Sequence, residues 1–227
     1  MIISTLLVLK WLHILAMVYW LGGEWGVFQT SYYVINRDLT MEERRRHMNT
    51  AYKIDILART GILLLFPLGF HMGHYWGVQP FGGVWLWVNW IFFGAWLAIC
   101  WGAFFTRETD RGIQLTLIDE RIRYVFIPLI LIASITSLMG YGPFEAGQMQ
   151  KWYSVKVLIF SGLLMIGLKL RFIMREWTML FRVLAEEPNN QQAEATLERS
   201  LKTGRILAYF YWIGIAGVGF LGAVKPF

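Results

Sequence analysis

Three of the four histidines in the chain lie within long apolar stretches, where an ionisable side chain is costly and usually functional. His13 lies in the first stretch, and His71 and His74 lie near the end of the second. Because His71 and His74 are three residues apart, they share one face of a helix. Imidazole is a common ligand of haem iron, and a helical bundle can hold haem between its helices. The pattern therefore favours a haem b site, with His13 and His71 as the first choice of axial ligands and His74 as the alternative to His71.

A structural role is the simpler alternative for these histidines. Under it, His13 is a polar residue satisfied between helices, and His71 and His74 lie at the membrane–water interface. The fourth histidine, His47, lies in the basic segment EERRRHMN and is predicted to be solvated. If haem is bound, we expect His13→Ala or His71→Ala to lose it and His47→Ala to retain it.

Two lysines are expected at a depth similar to that of the three histidines. Lys10 precedes His13 by one helical turn, and Lys156 lies near the start of the fifth apolar stretch. A lysine in such a position commonly extends its ammonium group to the membrane surface. Two ammonium groups at this depth also suit the carboxylates of a porphyrin, so we predict Lys10 and Lys156 to be cofactor-binding residues.

Copper is the alternative metal for the same region. Met17 follows His13 by one turn, and Met72 is adjacent to His71. Thioether sulfur together with imidazole suits Cu(I). Methionine is also a common apolar filler of irregular cores, so the methionines favour copper less strongly than the histidines favour haem.

Glu24 and Arg59 are charged residues expected at similar depth, toward the opposite side of the membrane. Charges inside a membrane usually pair, so we predict a structural Glu24–Arg59 ion pair. Asp55, four residues before Arg59, is an alternative partner within the same helix. A proton route from Glu24 toward His13 is a second hypothesis for this carboxylate.

The elements that position these residues are predicted to be transmembrane helices. The 227-residue chain is 56% hydrophobic with a mean hydropathy of +0.46, which is too apolar for an ordinary soluble domain. A spanning helix needs about 20 mainly apolar residues, and six stretches qualify. We predict an all-α, single-domain integral membrane bundle over residues 1–227, with spans at 3–28, 54–78, 84–105, 124–141, 153–173 and 206–224.

Basic residues are concentrated in three of the segments between these spans, at 37–53, 106–123 and 169–205. The six spans predict a multi-pass protein, which we assign to the bacterial inner (plasma) membrane. Because Lys and Arg remain on the cytoplasmic side, the three basic segments are predicted to be cytoplasmic. Both termini are then on the outer, periplasmic side, as is the turn at 142–149. Residues 174–205 are predicted to form a polar cytoplasmic loop or short helix. The net charge of +6 belongs to these segments and does not indicate nucleic acid.

Several short motifs resemble one known family. The first helix contains WLHILAMVYWLGG, the fifth begins with WYSVKVL, FRVLAEEP precedes the polar segment, and the chain ends in VKPF. These motifs resemble the family that contains the HemJ-type protoporphyrinogen IX oxidases and the copper-resistance D-type membrane proteins. The resemblance implies a membrane protein that binds haem b, with His13 at the family histidine and Lys156 at the family lysine. It also implies oxidation of a tetrapyrrole precursor, with electrons passed to the respiratory chain.

The histidines and the resemblance together predict a haem b protein of electron transfer, with a membrane oxidoreductase of the protoporphyrinogen-oxidase type as its enzymatic form. Such an enzyme oxidises a porphyrinogen-like or other small reductant and passes electrons to quinone. The alternatives are a copper-handling transporter and a non-catalytic subunit of a respiratory or photosynthetic membrane complex. The predicted partners are the lipid bilayer, quinone or a respiratory-chain protein, and either further copies of the chain or a larger membrane complex.

Overall fold

The structure, a computed structural model, describes residues 4–107, 109–144 and 150–226. The described residues form six α-helices and no β-strand. The helices are α1 (Thr5–Val34), α2 (Met41–Tyr75), α3 (Val84–Phe105), α4 (Asp110–Leu138), α5 (Lys151–Glu186) and α6 (Gln191–Val224). The prediction of an all-α bundle of about six helices is confirmed.

All six of these helices are long and apolar enough to cross a membrane. Each predicted span largely coincides with one helix, and the bounds predicted for α3 are those observed. By contrast, α2, α4, α5 and α6 continue far into the basic segments that separate the predicted spans. Residue 3 of the first predicted span and residues 145–149 of the predicted turn lie outside the described residues.

Large apolar side chains point outward along the helices. The exposed fractions of Ile91, Val125 and Ile213 are 69%, 71% and 70%. A large exposed apolar surface is unfavourable in water, whereas lipid tails are as apolar as these side chains. The described chain therefore has the organisation of a multi-pass membrane protein that lies in a lipid bilayer.

Successive helices run antiparallel and pack as a ring that closes between α6 and α1. Between α1 and α2, for example, His13 faces Gly69 while Gly23 faces Ala58, so residue numbers rise along one helix as they fall along the other. Both termini therefore lie at the same end of the bundle, which we call the terminal end. The opposite end carries the basic segments, and we call it the basic end.

Glycines allow α1 and α2 to approach closely. A Cβ atom at Gly61 would collide with the backbone of α1 at Ala16, and one at Gly23 would lie 2.8 Å from a side chain of α2. Small residues permit this kind of helix packing in membranes. The same approach brings the ring of His13 against Gly69, so the packing of these two helices sets the position of the imidazole.

A second hydrophobic core lies at the basic end, formed by the end of α1 and the extensions of α2, α5 and α6. Its buried members are Val34, Met48, Ala51, Ile173, Met174, Trp177, Phe181, Leu184, Ala193, Leu197 and Leu201. Buried Arg44 donates to both carboxylate oxygens of Glu194, at 2.6 and 2.9 Å, and ties α2 to α6. Residues 174–205 are therefore a helical hairpin, the end of α5 and the start of α6 joined by a turn at 187–190, and they pack onto the bundle.

Candidate functional site

A cavity of about 260 Å³ lies toward the terminal end, between α1, α2, α5 and α6. We call it the terminal-end cavity. Ligand pockets in proteins usually occupy about 300–1,000 Å³, so its volume is close to the lower end of that range. Much of its wall is aromatic. The aromatic residues of the lining are Trp20, Phe66, Phe70, Trp76, Trp152, Tyr153 and Phe160.

His13 lines the terminal-end cavity from α1. Its ring packs against Gly69, where a Cβ atom would lie 3.2 Å from the His13 Cε1. The imidazole interacts with the backbone of Leu65, while its buried Nδ1 has no hydrogen-bond partner among the described residues. Buried polar atoms in native proteins usually have such a partner, so this imidazole retains a binding capacity that the rest of the described chain does not use.

Lysines give the terminal-end cavity its charge. The predicted Lys10 and Lys156 both line it, together with Lys225, and the described lining contains no Asp or Glu. The Lys225 Nζ lies 3.8 Å from the centroid of the Trp76 ring, in the geometry of a cation–π interaction. Partial burial lowers the pKa of Lys225, and the neighbouring Lys10 ammonium group lowers it further. The side chain of Lys156 packs against Gly222 of α6, where a Cβ atom would lie 2.5 Å from the Lys156 Nζ.

His71 faces away from the terminal-end cavity and toward α3. The Trp90 Nε1 donates to the His71 Nδ1 at 3.1 Å, and the ring of Tyr75 stacks on the imidazole. Gly69, which faces His13, precedes His71 by two residues, or about 200° around the helix. The two positions therefore lie on opposite faces of α2, and the expected pairing of His13 with His71 is not formed.

The remaining histidines also lie apart from His13. His74 is exposed and packs beside Gly82, in the turn before α3. His47 lies at the basic end, where its ring stacks on Tyr33 with 4.5 Å between the ring centroids. Of the three histidines predicted as metal ligands, the structure places His13 alone in the terminal-end cavity.

Sulfur donors are present in the terminal-end cavity as well. Met17 and Met72 both contribute to the lining that contains His13. However, no group of three or more His, Cys, Asp or Glu side chains in the described parts of the chain is arranged to hold a metal ion. The donor set for a bare metal ion is therefore one imidazole and two thioethers.

Glu24, Asp55 and Arg59 line a second, smaller cavity of about 80 Å³, which we call the basic-end cavity. Arg59 forms an ion pair with Asp55, four residues earlier on α2, as expected for the alternative partner. Glu24 has neither a hydrogen bond nor an ion pair with any residue that the structure describes. The within-helix partner prevails because its spacing alone brings the two charges together.

The sequence prediction missed an ion-pair network next to the basic-end cavity. Asp119 of α4 is fully buried, accepts a hydrogen bond from the Trp96 Nε1 at 2.6 Å, and pairs with Arg123 and Arg171. These arginines had been assigned to basic loops. The spacing of Asp119 and Arg123, four residues on one helix, was the available signal, whereas the partnership with α5 requires the tertiary fold.

A hydrogen-bonded pair of aromatic residues lies between the two cavities. Trp20 lines the terminal-end cavity and Tyr211 the basic-end cavity. The Trp20 Nε1 donates to the Tyr211 hydroxyl at 3.1 Å. Because an indole N–H is a donor only, Trp20 does not act as a proton relay between Glu24 and His13.

Comparison of the chain with family models, with curated proteins and with solved structures finds no match.

Proposed function

We propose that the terminal-end cavity binds a flat, carboxylate-bearing tetrapyrrole, and that haem b bound there makes the chain an electron-transfer protein of the bacterial inner membrane. The observation that supports this proposal is the composition of the cavity wall. One imidazole without a partner at its Nδ1, the ammonium groups of Lys10, Lys156 and Lys225, and a largely aromatic surface meet in one place without an opposing carboxylate.

Charge supports an anionic ligand in preference to a bare cation. Ammonium groups near a low-dielectric interior interact strongly with an anion and repel a cation at similar distance. A porphyrin carries an apolar ring for the aromatic wall and carboxylates for the lysines. Cu(I) would gain the soft donors Met17 and Met72, but it would lie among positive charges. The terminal-end cavity therefore suits the tetrapyrrole better than copper.

The lining residues have different roles in binding the ligand. In this proposal, the lysines bind and orient the carboxylates, the aromatic side chains pack on the ring and exclude water, and His13 supplies the imidazole to the iron. Bound haem supplies one-electron redox chemistry whose potential depends on the axial ligand and on burial. Because His13 is the one histidine in the described lining, we expect it to be an axial ligand of the iron without a second histidine ligand.

The reaction belongs to the same proposal. A porphyrinogen-like or other small reductant gives up electrons at this site, and quinone or a respiratory-chain protein accepts them. The excess of basic residues at the basic end supports a cytoplasmic location for that end and a periplasmic location for both termini. A copper-handling transporter and a non-catalytic subunit of a larger complex are the competing functions.

Pigment and metal analysis of the purified full-length protein tests the proposal. We expect a Soret band, and iron and haem b in equal amounts. Protein that has neither pigment nor iron and fails to bind added haem would contradict it. Copper in place of iron would support the transporter, and co-purification with a fixed set of large proteins would support the subunit.

A further inference from the structure

We propose that the basic-end cavity binds a phosphate-type oxyanion, either free or as the headgroup of a lipid. Side chains of α1, α2, α4, α5 and α6 meet around this space of about 80 Å³. Guanidinium groups dominate its charged lining, with two carboxylates, Glu24 and Asp55, among them. The arginines are Arg59, Arg123, Arg171 and Arg205.

The carboxylates near the cavity do not neutralise all of these arginines. Arg59 is paired with Asp55. Arg123 and Arg171 both pair with Asp119. Glu120 pairs with Arg175 and also with Arg171, whose Nε lies 3.8 Å from the Glu120 Oε1. Three guanidinium groups thus share two carboxylates, which leaves an excess of positive charge beside the cavity. In a low-dielectric environment such an excess is unfavourable unless an anion is present.

Arg205 is the arginine of this cavity whose side chain has buried hydrogen-bond donors without an acceptor among the described residues. Its Nε and Nη2 atoms are buried without a hydrogen-bond partner among the described residues. Its guanidinium carbon lies 3.7 Å from the centroid of the Tyr32 ring, and this cation–π contact fixes the plane of the group but offers no acceptor. The guanidinium fork matches two oxygens of a phosphate or carboxylate. Arg205 is therefore the anchor of the proposed site.

Size and surroundings narrow the class of ligand. A space of about 80 Å³ is well below the roughly 300 Å³ at which pockets for drug-sized molecules begin, so it encloses an anionic group and not a nucleotide. Basic pockets between transmembrane helices also bind phospholipid headgroups. Glu24, which has no cationic partner within hydrogen-bonding distance, opposes an oxyanion when its carboxyl group is ionised, and this sets an upper limit on the affinity.

Calorimetric titration of inorganic phosphate into phospholipid-depleted protein in a neutral detergent is the first test. We expect Arg205→Gln to weaken binding at least about tenfold, or roughly 1.4 kcal/mol. The matched control is Arg199→Gln, which makes the same change at an exposed position of α6 and should bind phosphate as the unaltered protein does. Equal affinities for Arg205→Gln and the unaltered protein would overturn the proposal.

Glu24→Gln provides a test that does not depend on the folding of the Arg205 variant. Removing the unpaired carboxyl group should tighten binding of sulfate at alkaline pH, where this group is ionised in the unaltered protein and sulfate has no proton to donate to it. An unchanged or weaker sulfate affinity would contradict the proposed location. Since haem content is measured separately, failure here leaves the proposed function of the terminal-end cavity untouched.

The source of the phosphate group is distinguished in nanodiscs of phosphatidylcholine, with or without phosphatidylglycerol. Native mass spectrometry of protein released from the mixed discs should show retained phosphatidylglycerol if the ligand is a headgroup, and Arg205→Gln should retain less. Binding of free phosphate without retention of this lipid would indicate a soluble anion. The absence of both would overturn the proposal.

Discussion

Helices α1, α2, α5 and α6 line both cavities, and α4 lines the basic-end cavity as well, but the two cavities balance their charges in different ways. In the terminal-end cavity, the described lining has lysines and no carboxylate. The basic-end cavity is lined by four arginines and two carboxylates, and most of these charges form ion pairs within the protein. The difference indicates that charge at the basic end mainly holds helices together, while charge at the terminal end is available to a ligand.

The largest effect on stability is expected at the basic end. Asp119→Asn removes the carboxylate shared by Arg123 and Arg171, which, among the described residues, leaves buried Arg123 without an ion-pair partner and Arg171 with Glu120 alone. Breaking a buried ion pair by removing one partner costs about 3–5 kcal/mol, and we expect a loss of unfolding free energy in that range. Reversible denaturation in mixed micelles measures it. The exposed Asp38→Asn serves as the control, and similar stability of the two variants would show that the network is not structural.

A charge removed at the terminal end should act on ligand affinity and not on stability. Lys156→Gln takes away one of the ammonium groups that face the proposed carboxylates, so affinity for added protoporphyrin IX should fall about tenfold, or roughly 1.4 kcal/mol. Quenching of tryptophan fluorescence reports the binding. Lys169→Gln changes an exposed lysine of the same helix and should bind normally. If Lys156→Gln weakened phosphate binding at the basic end equally, the two cavities would not be independent.

The smallest effect is expected from a single added methyl group. Gly222→Ala places a Cβ atom against the Lys156 ammonium group, whereas Gly217→Ala, on the same helix, meets nothing within 4 Å. Because the displaced group is the end of a flexible side chain, the porphyrin affinity should fall only about two- to threefold, which is below 1 kcal/mol. Equal affinities of the two alanine variants would show that the position of Lys156 is unimportant.

Hydropathy predicted the number of helices but not their full length. The bounds of α3 were predicted correctly, since its apolar run ends in turns on both sides. The other helices continue past the apolar stretches because capped, polar sequence also forms helix. At the start of α2, Thr40 and Glu43 form a capping box, and its Thr-x-x-Glu spacing is visible in the sequence.

The depth of the histidines in the membrane was a weaker guide than their direction around the helix. His13 and His71 were paired because both were expected near one level. Which face of α2 meets α1 depends on close packing at Gly61 and Gly69, and no single-helix pattern determines this. Lys225 was not predicted as a residue of the terminal-end cavity for a similar reason, because only the folded chain brings the end of α6 beside α1 and α2.

The central claim is that His13, and not His71, supplies the imidazole of a haem site in the terminal-end cavity. It is tested most directly by comparing the absorption spectra of purified His13→Ala and His71→Ala with that of the unaltered protein, each prepared with added haem. The account predicts a Soret band in the unaltered protein and in His71→Ala, and its loss in folded His13→Ala. A band that persists in His13→Ala but disappears in His71→Ala would contradict the account.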